Sequence, residues 1–259
     1  MRAVLKTSKN TASPLRRSFD VGQCLSHELV FTDLVTDAAN GCLALPSFQR
    51  RFVWDPSDIL ALLDSMLRGF PIGSLLFWEK WGQHATSARS FVGTNPPKPD
   101  SPLVLDGQQR IGALLVATQT GSGYAYEVAA DRFVVVDKPT PQNGYMPCSS
   151  LIDFISFMDE LAPLYEALPR TPRPVAVPRR KGKPVPPPPP PPQLTDEQLR
   201  VKDFTHRCEA VMNRFRQVRI GAIVIPASKD EAFCREVFRR INLTGKAFTE
   251  ADVFDCLNS

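Results

Sequence analysis

The chemistry that this sequence can offer is concentrated in five consecutive residues, D-G-Q-Q-R at positions 106–110. An apolar segment precedes them and apolar residues at helical spacing follow them, so we expect a strand to pass directly into a helix at this point. The first turn of a helix has backbone N–H groups without intrahelical acceptors, and the helix dipole favours negative charge there. The pentapeptide therefore predicts a binding site for phosphate.

Each side chain of the pentapeptide suits such a site. Gly107 would let a ligand approach the backbone closely, and Gln108 and Gln109 can both donate and accept hydrogen bonds. Arg110 can bind two phosphate oxygens at once. The same sequence also fits an ordinary capping box, with Asp106 as the cap and Gln109 three residues on. A purely structural interpretation therefore stays open beside the functional one.

A second polar cluster lies earlier in the chain. Gln49, Arg50 and Arg51 stand among aromatic residues, and two adjacent arginines cannot both point into one core. At least one of them is therefore free to contact a ligand, while the ring of Phe52 or Trp54 could stack on a base. A solvated arginine pair beside core aromatics would give the same pattern.

A third cluster, R-R-I-N-L-T-G at 239–245, follows a predicted helix. Its Asn242 suits a polar contact with a ligand. The same asparagine, with the glycine three residues on, also fits the C-terminal cap of that helix, so this cluster too has a structural alternative.

Composition sets the limits within which these clusters must work. The chain has 259 residues, 43% of them hydrophobic, which is enough for one large domain or two small ones. Its six cysteines contain no C-x-x-C pair and its three histidines are far apart, so we expect reduced thiols and no zinc site. There is no secretory signal pattern and no apolar run of membrane-spanning length. We expect a cytoplasmic protein that does not enter a membrane.

Periodicity and capping signals predict the elements that position the clusters. Asp55, Pro56 and Asp58 start a helix that Gly69 or Gly73 ends. A further helix is expected from residue 150 to 161, where it meets a proline. Three more helices are expected to begin at capping signals, which are formed by residues 195 and 198, 228 and 231, and 249 and 252. Strands are predicted at 74–78, 103–105, 133–136 and 220–225.

The proline distribution divides the chain. Residues 169–193 form a basic, proline-rich segment, which we predict to be an extended polyproline II linker or inserted loop. An SH3 ligand is the alternative. Residues 1–18 are predicted to be a flexible tail, 19–168 a core, and 194–259 the remainder of the same domain. Because the last helix has hardly begun at residue 259, we expect the natural protein to continue.

Four ordered blocks resemble a known family. They are F-Q-R-x-F-V-W at 48–54, L-x-D-S-M-x-x-G-F-P-I-G-S-L-L-F-W at 62–78, V-L-D-G-Q-Q-R at 104–110 and F-R-R-I-N-x-x-G-x-x-F-T-x-x-D at 238–252. Together they resemble the N-terminal domain of GmrSD-type, modification-dependent (type IV) restriction proteins. The resemblance runs from about residue 28 to the end of the chain, apart from the proline-rich segment.

The resemblance implies an α+β fold similar to ParB and sulfiredoxin, with a small mixed sheet, surrounding helices and a helical C-terminal part. In that fold a short strand-to-helix motif binds a nucleotide, and the D-G-Q-Q-R block lies at its place, so residues 19–168 would be the NTP-binding core. The residues assigned in this way to nucleotide or phosphate binding are Gln49, Arg50, Arg51, Trp54, Pro71, Ile72, Gly73, Gly107, Arg110 and Asn242.

The same resemblance implies NTP binding and NTP hydrolysis that control an HNH-type nuclease domain in response to modified double-stranded DNA. Here Arg110 with Arg50 or Arg51 would neutralise the phosphates, and a glutamine would orient the attacking water. Mg²⁺ would accompany the NTP, with Asp106 as a candidate ligand and no other metal site assigned. The predicted catalytic residues are Asp106, Gln108, Gln109 and Arg110.

Two features limit this interpretation. The sequence has no HNH arrangement, so we expect no DNA cleavage by this chain alone. The glutamines and arginines also suit DNA backbone and base edges, so a DNA-binding sensor of modified DNA without NTP turnover is the alternative function. A scaffold module that binds neither ligand is a third alternative, and a homo-oligomer is compatible with all three.

Overall fold

The computed structural model describes residues 25–79, 88–169 and 194–243 and shows an α+β fold, as the sequence predicts. The strands are β1 (Leu25–Val30), β2 (Leu45–Pro46), β3 (Leu75–Trp78), β4 (Ala88–Arg89), β5 (Leu103–Asp106), β6 (Tyr124–Glu127), β7 (Arg132–Val135), β8 (Tyr145–Pro147) and β9 (Arg219–Ile225). The helices are α1 (Phe31–Ala39), α2 (Pro56–Arg68), α3 (Gln108–Thr118), α4 (Phe154–Glu166), α5 (Asp196–Gln217) and α6 (Glu231–Leu243).

The chain divides into two compact units. The first contains the described residues of 1–53, 72–112 and 219–259, and the second those of 54–71 and 113–218. The predicted domain boundaries stay a prediction, as does the specific likeness to ParB and sulfiredoxin.

A small mixed sheet organises the first unit. Its strand order is β1-β9-β3-β5, in which β9 runs parallel to β3 and the other neighbours are antiparallel. Both β3 and β5 are almost entirely buried, which explains why they read as continuous apolar runs rather than as alternating ones. The short strands β2 and β4 pair with each other and form a separate two-stranded antiparallel sheet.

The core of the first unit lies on this sheet. Its buried side chains come from the sheet, from the segment before β2 and from α6: Ala44, Leu76, Trp78, Leu103, Leu105, Ile225 and Cys234. Phe48 packs against this cluster, edge to face with Phe238 at 5.8 Å between ring centroids. Residues directly before the Arg50 and Arg51 pair are thus fixed in the core.

The second unit has a three-stranded antiparallel sheet in the order β7-β6-β8. Aromatic contacts hold it together: the rings of Phe133 and Phe215 stack at 5.5 Å, and Tyr126 lies 5.6 Å from Phe133. The Tyr126 hydroxyl donates a hydrogen bond to Asp131, and burial raises the pKa of this phenol.

Several local signals in the sequence are confirmed. Asp55 accepts hydrogen bonds from the N–H groups of Ser57 and Asp58 in a complete capping box, and Gly69 ends α2 in a left-handed conformation. Thr195 and Gln198 form the second predicted capping box, at the start of α5. These signals depend on near neighbours in the chain, which is why they can be read without the fold.

Other predictions need correction. Helix α4 begins at Phe154 and continues through Pro163, where we expected it to stop. The carbonyl that Pro163 leaves unbonded belongs to exposed Asp159, which water can reach, so the helix tolerates the proline. Helix α6 is capped by Asp230, whose carboxylate accepts from the N–H of Phe233, rather than by the residue at 228.

Some predicted segments lie outside the described residues. These are the tail at 1–18, the proline-rich segment from 170 onward and the last helix, at 249 and 252. Strands β1, β6 and β8 and helix α1 were not predicted from the sequence. Of the helices that the structure describes, none has the length and apolarity to span a membrane.

Candidate functional site

The turn between β5 and α3 is built on Gly107, whose φ is 98°. A Cβ at this position would lie 2.2 Å from Cδ2 of Leu75, so only glycine fits. The Gly107 carbonyl accepts the N–H of Ile111 at 2.9 Å and so begins the helix. Within the described chain, the N–H groups of residues 108–110 meet no acceptor. The strand-to-helix junction is therefore present as predicted, but Leu75 covers Gly107 itself, and this residue is buried.

Arg110 is held inside the first unit rather than extended toward solvent. Its Nη2 lies 2.9 Å from Oδ2 of Asp106, and its Nη1 donates to the carbonyl of Ile72 at 2.8 Å. Gly73, with a φ of 80°, makes room for this guanidinium, because a Cβ there would lie 2.6 Å from Nη1. The Arg110 side chain is 18% exposed. Arg110 therefore connects the end of β5, at Asp106, to Ile72, which precedes β3.

The glutamines of the motif hold a neighbouring segment in place. Gln109 accepts from the N–H of Val53 at 2.9 Å and donates to the carbonyl of Arg51 at 3.0 Å. Gln108 donates to the carbonyl of Arg50 at 2.7 Å. Because Gln109 bonds this segment and not the backbone of Asp106, the capping-box interpretation of the motif is wrong.

Gln49 completes the attachment from the other side. It is 7% exposed, and its amide donates to the carbonyls of Val104 and Leu105 in β5, at 2.7 and 2.6 Å. The backbone of residues 49–53 is thereby bonded to β5 and to the first turn of α3. The side chains of Arg50 and Arg51 both remain exposed, which confirms that the pair is not buried in the core.

A pocket of about 340 Å³ opens beside this attachment. Arg51 and Arg89 supply its positive charge, and Gln108 supplies an amide. Phe52 and Phe91 contribute aromatic walls. The full lining consists of Leu45, Arg51, Phe52, Arg89, Ser90, Phe91, Val92, Gln108 and Gly112.

Helix α3 forms one wall of the pocket because Gly112 lacks a side chain. A Cβ on Gly112 would lie 2.7 Å from Cδ2 of Phe52, so the ring of Phe52 rests directly on the helix. On the other side, Arg89 donates to the carbonyl of Gln49 at 2.5 Å, while its Nε is buried without a partner among the described residues. A buried donor without a partner is costly, so the Arg89 guanidinium is not fully satisfied by the described residues.

The sequence did not predict the contribution of Arg89, Ser90 and Phe91. They lie within the polar segment 82–101, which is rich in proline, glycine and serine, and carry no motif. Their only signal is the alternation of an arginine and an aromatic ring, S-A-R-S-F at 87–91, which is common in loops without ligands. The pairing of β4 with β2 brings them to the pocket, and such pairing is not visible in one sequence.

The other predicted site residues lie elsewhere. Trp54 and Pro71 belong to the second unit. Asn242 is exposed in the last turn of α6, where its amide donates to the carbonyl of Phe238 at 2.8 Å. Of the predicted site residues that the structure describes, Arg51 and Gln108 are therefore the two that line the pocket.

The described residues contain no group of three or more His, Cys, Asp or Glu side chains that could hold a metal ion by themselves. Asp106 is the carboxylate of the motif, and one of its oxygens pairs with Arg110. Glu79, directly after β3, is 6% exposed, and burial raises the pKa of its carboxyl. It does not line the pocket.

These features define an α+β domain in which a strand-to-helix turn adjoins a basic and aromatic pocket. The model of the family described as GmrSD restriction endonuclease, N-terminal domain, matches residues 31–258. The chain belongs to this family, which confirms the resemblance carried by the four sequence blocks and indicates a role in a restriction system.

A curated relative gives little further information. An uncharacterized protein of Methanocaldococcus jannaschii is 38% identical to this chain over 101 residues. The aligned region covers 36% of this chain and 17% of that relative. The chain thus spans a small part of the relative's length.

Proposed function

We propose that this chain is the nucleotide-binding regulatory domain of a modification-dependent restriction protein. It binds an NTP with Mg²⁺ and hydrolyses it, and this reaction controls a nuclease domain that responds to modified double-stranded DNA. Family membership supports the restriction role, and the pocket beside α3 supports the ligand.

The observation that carries the ligand assignment is the composition of the pocket. Its volume of about 340 Å³ lies within the range of small-molecule sites. Two guanidinium groups suit phosphate oxygens, and two aromatic rings suit a base or sugar face. Gln108, which lines the pocket, is the first residue of α3, and the dipole at this end of the helix favours negative charge.

The contacts of the motif divide its residues by role. Arg51 and Arg89 face the pocket and bind phosphate in this proposal, whereas Arg110 is bonded to Asp106 and to Ile72 and positions the turn. The oxygen and the nitrogen of the Gln109 amide are both hydrogen-bonded to backbone groups, those of Val53 and Arg51. In the described contacts the carbonyl oxygen of Gln108 makes no hydrogen bond, so Gln108 is the glutamine that can orient an attacking water.

The donor set at the motif fits Mg²⁺ that arrives with the phosphates. Mg²⁺ in nucleotide sites is usually held by one or two carboxylates together with phosphate oxygens and water. Asp106 does not line the pocket itself but lies two positions before Gln108, which does, and it would supply that carboxylate because its side chain is 34% exposed and one oxygen is not used by Arg110. The ion would neutralise charge that develops on the phosphate oxygens.

Arg51 provides the first test. We expect Arg51→Ala to weaken NTP binding by roughly ten- to a hundredfold, since a charge-assisted contact is worth about 1.5 to 3 kcal/mol. Isothermal titration calorimetry with each NTP and Mg²⁺ measures the change. Because Arg51 is exposed, the free energy of unfolding should change little.

Arg50→Ala is the matched control, since it removes the same charge from the adjacent exposed residue, which does not line the pocket. We expect its effect on affinity to be clearly smaller. Equal losses in the two variants would show that net charge matters and the pocket does not. Unchanged affinity in Arg51→Ala would refute the pocket assignment.

The DNA-sensor alternative makes a different prediction for the same variants. Binding that rests on several phosphate contacts weakens steeply as salt is added, whereas hydrolysis of free NTP depends first on Mg²⁺. If DNA affinity falls in Arg51→Ala with a reduced salt slope and no NTP binds, the sensor function replaces the one proposed here.

A further inference from the structure

Cys42 and Lys98 form a close pair away from the pocket. Nζ of Lys98 lies 3.0 Å from Sγ of Cys42. The backbone fixes both residues: the N–H of Lys98 donates to the carbonyl of Gly41 at 2.9 Å, and the N–H of Cys42 donates to Asp37 at 2.8 Å. The amine and the thiol are therefore placed side by side by the fold and not only by the reach of a lysine side chain.

Neighbouring contacts reinforce this arrangement. The Ser101 hydroxyl donates to the Gly41 carbonyl at 2.7 Å, and the N–H of Asn95 donates to Ala39 at 3.1 Å. Gly41 has a φ of 68°, and a Cβ there would lie 2.2 Å from the carbonyl oxygen of Pro96. Residues 95–101 thus run against residues 39–42 with no room for a side chain at position 41.

Cys42 differs from the other described cysteines. Cys148, Cys208 and Cys234 are buried, whereas Cys42 is partly exposed. Burial raises the pKa of the thiols of Cys148 and Cys208, in the latter to about 12, which makes them poor nucleophiles. Among the cysteines that the structure describes, Cys42 is the one that a small oxidant can reach.

We propose that Cys42 and Lys98 are a redox modification site, at which oxidation joins Sγ to Nζ through one bridging oxygen atom. The 3.0 Å separation is too long for a direct S–N bond but suits a single intervening atom. The thiol and the neutral amine react with one O₂ to give S–O–NH and one water. Sulfur and nitrogen each lose two electrons, O₂ accepts all four, and the S–H hydrogen and one N–H hydrogen leave in the water.

The link would act on the loop that carries part of the pocket. Residues 90–92, which line the pocket, and Lys98 lie in the same connection between β4 and β5. A covalent bond from residue 98 to residue 42 would restrain one part of this loop. Two molecules of dithiothreitol would supply the four electrons that break both the S–O and the N–O bond, which restores the free thiol and amine and releases the bridging oxygen as water.

Peptide mapping tests the proposal directly. The whole chain is kept in air-saturated buffer at pH 9 and is then digested with trypsin without reduction. Trypsin leaves Cys42 in residues 18–50 and Lys98 in residues 90–110, since Lys98 precedes a proline. We expect a joined pair of these peptides, heavier than their sum by one oxygen and lighter by two hydrogens, that disappears on treatment with dithiothreitol.

Three variants make the assignment specific. Cys42→Ser and Lys98→Arg should each abolish the joined peptide, whereas Cys24→Ser, which changes the other cysteine of residues 18–50, should leave it. Lys98→Arg keeps the charge but removes the reactive amine. A joined peptide without the added oxygen, or Cys42 oxidised to sulfinic acid with Lys98 unmodified, would overturn the proposal.

Discussion

Replacement of Gly107 by alanine is expected to lower the free energy of unfolding by about 3 kcal/mol. Two costs add at this position. With a φ of 98° the backbone lies where side chains are strained, and the new Cβ would lie 2.2 Å from Cδ2 of Leu75, which is 2% exposed and cannot move freely. Urea unfolding followed by tryptophan fluorescence measures the difference.

Gly121→Ala is the matched control for backbone strain alone. Gly121 has a φ of 76°, but a Cβ there would meet no atom within 4 Å. We expect this variant to lose only about 1 kcal/mol. Equal losses in the two variants would mean that Leu75 yields to the new methyl group, and the close packing at the β5–α3 turn would not hold.

Arg110→Ala is expected to lower the free energy of unfolding by about 2 kcal/mol. The guanidinium has two bonded partners, Asp106 and the Ile72 carbonyl, and its removal leaves a carboxylate that is only 34% exposed without its cation. The loss is smaller than for a fully buried pair because water still reaches the Asp106 oxygens.

An exposed ion pair gives the comparison for Arg110. Arg132 pairs with Glu127 at 2.8 Å, but its side chain is 62% exposed, so Arg132→Ala should cost less than about 1 kcal/mol. Asp106→Asn tests the same contact from the other side and should reproduce most of the Arg110→Ala loss. If Arg110→Ala leaves stability unchanged and abolishes NTP binding instead, Arg110 contacts the ligand and does not position the turn.

The sequence predicted the elements of the fold where the relevant contacts are local. The passage of β5 into α3, the caps at Asp55 and Thr195 and the left-handed Gly69 all follow from residues within a few positions of one another. It also indicated that the arginine pair stays out of the core. The ordered sequence blocks identified the family, which its model confirms over residues 31–258.

The roles within the motif were not predictable in this way, because their partners are distant in the chain. Gln108 and Gln109 bond residues 50–53, nearly sixty positions earlier (58, 58 and 56 in the three bonds). Arg89 enters the pocket through the pairing of β4 with β2, which no periodicity reveals. Helix α4 continues through Pro163 because solvent can satisfy the freed carbonyl, a property of the surface and not of the sequence pattern.

The central claim is that the pocket between Arg51, Arg89 and Gln108 binds a nucleotide. A thermal-shift panel of ATP, GTP, CTP and UTP with Mg²⁺ tests it most directly, because a ligand at about 100 times its Kd adds about 2.7 kcal/mol of stability. We expect at least one NTP to raise the Tm of the native chain and to have a much smaller effect on Arg51→Ala. No shift with any of the four nucleotides, or an equal shift in both proteins, would contradict the claim.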